Sequence, residues 1–136
     1  MLKYGEIAKH NFLDPSWFLK FNEVGISMED ASWWIIEDPE TKELYVIGED
    51  EYWIPENKIP TYTLPDIIYK LPDYVNTGPL EFRKDALFYT WGYEKIDCRI
   101  AENPLEAAAN LLIWSAENKL GVKNIKGKYK IEDHIL

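Results

Sequence analysis

Cysteine and histidine are almost missing from this chain: Cys98 is the one thiol, and His10 and His134 are the two imidazoles among 136 residues. A lone thiol closes no intrachain disulfide. One Cys with two distant His cannot supply the ligands of a zinc site or the base of a Cys–His or Ser–His–Asp arrangement. Cys98 alternates with Asp97 and Arg99, so it reads as a small buried residue of a strand. The seven glycines are scattered, and neither GxxxxGK[ST] nor GxGxxG occurs, which argues against an NTPase or a dinucleotide enzyme. No apolar run approaches the ~20 residues of a membrane span, and the first residues lead into a charged segment instead of a signal peptide, so a cytoplasmic protein is expected.

Cations are scarce where anions are dense. Between Glu23 and Glu56 stand eleven carboxylates and one lysine, Lys42, with Trp33, Trp34 and Trp53 among them. Such a block repels phosphate backbones within the Debye length and attracts basic protein surfaces. The run Glu37-Asp38-Pro39-Glu40 lacks the spacing of a calcium loop, and paired carboxylates without a cleft of mixed polarity read as a solvated face, so neither a metal site nor a catalytic residue is assigned and no cofactor is expected. The candidate partner-binding residues are Trp33, Trp34, Glu37, Asp38, Glu40, Glu49, Asp50 and Trp53. Residues 119–136 carry five lysines against two carboxylates, a net +3 that leaves −12 on residues 1–118 of a chain whose total is −9. The expected organisation is a single domain over 1–120 followed by a basic tail over 121–136.

With 46% hydrophobic and 15% aromatic residues the chain can bury a real core. The spacing of Tyr4, Ile7 and Ala8 predicts a short helix, and Asp14-Pro15-Ser16 a second one that Asp14 caps. The β-rich runs Ser32–Glu37 and Glu43–Ile47 flank Asp38-Pro39-Glu40-Thr41-Lys42, a turn sequence, and so predict a hairpin. A third run, Glu51–Ile54, stops at Pro55. Thr63 precedes Leu64, Ile67, Ile68 and Leu71 at helical spacing, and Pro72 ends that helix. Period-two alternation over Leu80–Arg83, Ala86–Tyr93 and Ile96–Ile100 predicts an antiparallel meander.

The last element is the clearest: Asn103 caps, Pro104 opens, Glu106 occupies the third position and Gly121 lies just beyond the end. Leu105, Ala108, Ala109, Leu112, Ile113, Ala116 and Leu120 form one apolar stripe. Trp114, flanked by Ala107 and Leu111, falls on the opposite side as a second apolar face, so the helix needs a second cover. The expected cover is the amino-terminal half or, in a homodimer, a second copy; the monomer and the homodimer both stay open.

The order helix, meander, helix is that of double-stranded-RNA-binding domains, yet the last helix starts Glu102-Asn103-Pro104-Leu105-Glu106, which repels phosphate and argues against nucleic acid. Tyr89, Trp91 and Tyr93 share one strand face and form the alternative ligand-stacking set, for a nucleotide-like small molecule.

The segments EIAK, SWWIIEDPETKELYVIGEDEYWIP, PTYTLPDIIYKLP and ENPLEAAANLLIWSAENK together resemble a broad group of small proteins from phages and prophages of gut bacteria. The resemblance implies a setting, with no mechanism attached; the lysine-rich stretch after Gly121 departs from it. The resulting expectation is an α+β protein with an antiparallel sheet, built from the amino-terminal hairpin and the meander, plus a short helix and a long carboxy-terminal helix. Its expected role is that of a non-enzymatic accessory protein. It would bind a host or phage protein of basic surface through the acidic, Trp-rich block, as a nucleic-acid charge mimic or inhibitor.

Overall fold

The computed structural model describes residues 2–51, 55–84, 89–93 and 98–123. The expected strand around Trp53, the expected burial of the Cys98 side chain and most of the basic tail lie outside the described residues. The protein is α+β, with antiparallel sheets and a long carboxy-terminal helix. The chain divides into two compact units, Met1–Thr63 and Leu64–Leu136. The hairpin and the meander both form, but each belongs to its own four-stranded sheet.

In the first unit the strands β1 (Leu2–Lys3), β2 (Trp33–Glu37), β3 (Leu44–Gly48) and β4 (Ile59–Thr61) run in the order β1-β3-β2-β4. The hairpin register pairs Trp33 with Gly48, Ile35 with Val46 and Glu37 with Leu44. Ile35 and Val46 therefore share a face, and Ala8 and Phe12 of the segment running through α1 (Glu6–Asn11) close over it. Helix α2 (Ser16–Glu23) starts where Asp14 Oδ1 accepts the Ser16 N–H at 2.8 Å. It ends in a glycine cap: Gly25, at φ 80°, lets Ile26 N–H reach the Phe21 carbonyl at 2.9 Å and Gly25 N–H reach that of Asn22 at 3.1 Å. Phe21 then packs against Tyr62, whose hydroxyl donates to the buried carboxylate of Asp30. Strand β4 was not foreseen because Pro60 sits in its middle; it lies at the sheet edge, the position where a missing N–H is tolerated.

The second unit holds α3 (Leu64–Lys70), the strands β5 (Tyr74–Val75), β6 (Gly78–Lys84), β7 (Tyr89–Tyr93) and β8 (Cys98–Ala101) in sequential order, and α4 (Pro104–Glu117). Asn103 caps α4 as expected, its Oδ1 accepting the Glu106 N–H at 2.8 Å. The helix ends earlier than Gly121 suggested. Lys119 takes the left-handed position at φ 56°, with Leu120 N–H on the Ser115 carbonyl at 2.9 Å. Helix α4 packs on β7 and β8 and also on α3, so it finds two partners inside its own unit. Its buried residues run continuously around the helix from Ala107 through Leu111, Ala108 and Leu112 to Leu105 and Ala109. The two expected apolar faces are thus the flanks of one wide arc, and Trp114 lies half-buried at its border with its ring 6.4 Å from that of Tyr93.

Candidate functional site

Charge separates the two units. Residues 1–63 carry thirteen carboxylates against five lysines, a net −8, while residues 64–136 come to −1. The acidic character of the protein is a property of the first unit.

Within that unit the hairpin sorts the expected partner-binding residues. Side chains alternate along a strand, so the adjacent Trp33 and Trp34 point to opposite faces of the sheet. Trp33 is 38% exposed and meets Phe12 edge-on with ring centroids 5.2 Å apart. Its ring lies over Gly48, where an added Cβ would come within 2.9 Å of Trp33 Cζ3, so only glycine leaves room for it. The exposed Glu49 and Asp50 follow Gly48 directly, and Glu49 N–H donates to the Ser32 carbonyl at 3.0 Å, which fixes this acidic pair beside Trp33.

Glu37, Asp38 and Glu40 stand at the other end of the hairpin, about 13 Å away along the strand at ~3.3 Å per residue. Asp38 is consumed by the turn: its Oδ1 accepts the N–H of Glu40 at 2.8 Å and of Thr41 at 3.3 Å, while Lys42 takes φ 64°. Glu43 pairs with Lys3 at 3.0 Å and accepts from the Tyr45 hydroxyl at 3.1 Å. The hydrogen bond from Lys3 holds the Glu43 carboxyl below its ordinary range, and the same bond raises the Lys3 ammonium. These contacts tie β1 to the hairpin. Of the expected partner-binding carboxylates, Glu37 and Glu40 are exposed at one end and Glu49 and Asp50 at the other. Trp53 lies outside the described residues.

On the opposite face Trp34 stands across from Pro60 of β4 and lines an open groove of about 610 Å³. Phe18, Ile26 and Met28 supply its apolar wall, and Glu29, Glu56 and Lys58 its charges. The Lys58 ammonium lies 5.7 Å from the Trp34 ring centroid. In the sequence Glu29 and Glu56 stand only as members of the acidic block, and nothing there marks this groove; the available signal was Gly25, which lines it together with Ile26, Ser27, Met28 and Glu29.

In the second unit Tyr89, Trp91 and Tyr93 do share a face, as period two requires. Tyr93 is buried, its hydroxyl donates to the Pro72 carbonyl at 2.8 Å, and burial pushes its phenol up to about 12. Trp91 is 9% exposed and covered by Phe82 of β6, whose ring centroid lies 4.7 Å away. The ring open to solvent here is Phe82, at 45% exposure, stacked on Tyr89 with an interplanar angle of 16°. Of the second apolar set, Ala107 and Leu111 are buried and Trp114 is half-buried.

Among the described residues no three His, Cys, Asp or Glu side chains gather as metal ligands would, and no helix is long and apolar enough to cross a membrane. No protein-family model, curated protein or solved structure matches the chain. The functional reading therefore rests on geometry and charge.

Proposed function

We propose that this is a non-enzymatic binding protein whose first unit offers its acidic, tryptophan-bearing surface to a basic protein partner. The observation that carries the reading is the exposed Trp33 seated over Gly48 with Glu49 and Asp50 beside it, on a unit of net charge −8. An aromatic ring held at the surface supplies contact area, and the carboxylates around it steer a cationic partner toward that ring. In the phage or prophage setting that the sequence resembles, the partner is a host or phage protein, and a carboxylate-covered face that occupies a nucleic-acid-binding site acts as an inhibitor by charge mimicry.

The alternative of a nucleotide-like ligand stacked on Tyr89, Trp91 and Tyr93 has less support, since Trp91 and Tyr93 are buried. Affinity capture from host extract tests the reading when wild type is compared with a variant carrying Glu37, Glu40, Glu49 and Asp50→Lys. Asp38 is left intact because the turn needs it. Basic proteins retained by wild type and lost by an equally stable variant are the expected result, and an identical captured set contradicts it.

A further inference from the structure

The groove at Trp34 is separate from the exposed Trp33 end, and its lining has a defined chemistry. One wall is aromatic and apolar, from Trp34, Phe18 and Met28, and the charges are two carboxylates, Glu29 and Glu56, against the single cation Lys58. A volume of about 610 Å³ accommodates a long side chain with its flanking backbone. The three lining charges leave a net negative site, and among the described residues neither the Glu29 nor the Glu56 carboxylate has a cationic partner.

Lys58 shows what the ring accepts. Its ammonium sits over the Trp34 face at 5.7 Å from the centroid, a cation–π contact made by an exposed side chain on a flexible stem. An exposed contact of this kind exchanges readily with another cation. A guanidinium suits the site better than an ammonium does: it is planar and weakly hydrated, it stacks flat on an indole, and its in-plane N–H groups remain free to donate to carboxylates at the rim. Glu29 and Glu56 line the same groove as that ring.

We propose that this groove seats an arginine side chain of the partner, its guanidinium lying on the Trp34 ring in the place Lys58 holds in the free protein and donating to Glu29 and Glu56. The inference rests on the basic-partner reading above and adds to it a pocket, a residue type and an internal competitor. Lys58 in this arrangement acts as a gate that keeps the ring covered until a better cation arrives.

The test is a titration of the whole protein with acetyl-Gly-Arg-Gly-amide, followed through the indole and backbone NMR resonances. The counterpart peptide with citrulline, which keeps the planar group and loses the charge, serves as control. The arginine peptide is expected to move the Trp34 indole and the Glu29 and Lys58 resonances, and to bind at least about fivefold more tightly than the citrulline peptide. Lys58→Met removes the competitor and is expected to tighten binding by about two- to fivefold, the size of an exposed cation–π contact. Glu29→Gln with Glu56→Gln weakens it several-fold without disturbing the fold. Equal binding of the two peptides, or a Lys58→Met variant that binds no better, overturns the inference. Shifts confined to Glu49, Asp50 and Trp33 also overturn it while leaving the acidic-surface reading intact; absence of any shift on the first unit counts against both.

Discussion

Gly48 is the residue on which the exposed aromatic depends, because the Trp33 ring occupies the space a Cβ would need. Gly48→Ala should displace that ring and cost about 1–3 kcal/mol, the usual penalty for an added methyl in a filled space. A urea melt with the tryptophan emission spectrum checks both effects. Tyr93 makes a second prediction at this scale. Its phenol is raised from 10.0 to about 12, so the fold favours the neutral form. That contribution is complete below pH 10 and is lost as pH rises from 10 through about 12, and a shift of this size amounts to at most about 2–3 kcal/mol. Melts at pH 9 and pH 11.5 should show wild type losing more stability than Tyr93→Phe, and parallel losses would place the phenol in solvent. Residue types at the surface were legible in the sequence, and so was Asp38 as a turn former. Trp33 and Trp34 are neighbours on β2, so period two sends the two rings to opposite faces and divides one supposed surface into two.

Among the elements, α4 was the most legible, since Asn103, Pro104 and Glu106 state its start in local chemistry that tertiary packing does not override. Leu112 is fully buried on it, so Leu112→Ala should cost about 2–5 kcal/mol. A loss below about 1 kcal/mol in a thermal or urea melt would put that side of the helix in water. Its end was less legible, because a lysine in the left-handed region leaves no compositional mark. Lys119→Gly relieves that conformation, and even after the greater chain entropy of glycine it should stabilise the protein by about 0.5–1 kcal/mol. The short strands β1 and β4 could not be read at all: two or three residues carry no periodicity, and Pro60 argues against a strand until its edge position is known.

For the whole molecule, the chain divides at Thr63 and carries two sheets where a single one was expected. Hairpin and meander signals are local and say which strands pair with sequence neighbours; they do not say whether two such groups join one ladder. The same division concentrates nearly all the net charge in the unit that holds the groove and Trp33. Electrostatic attraction of this kind acts mainly on the rate of encounter and fades with added salt. The most direct measurement is therefore the association rate of a captured basic partner with wild type and with the Glu37, Glu40, Glu49 and Asp50→Lys variant at low and high ionic strength. The variant should associate about tenfold more slowly at about 0.05 M salt, and the two rates should converge near about 0.5 M, where charges more than a few ångströms apart are screened. Equal rates at both ionic strengths would contradict the account and remove the acidic surface from the interface.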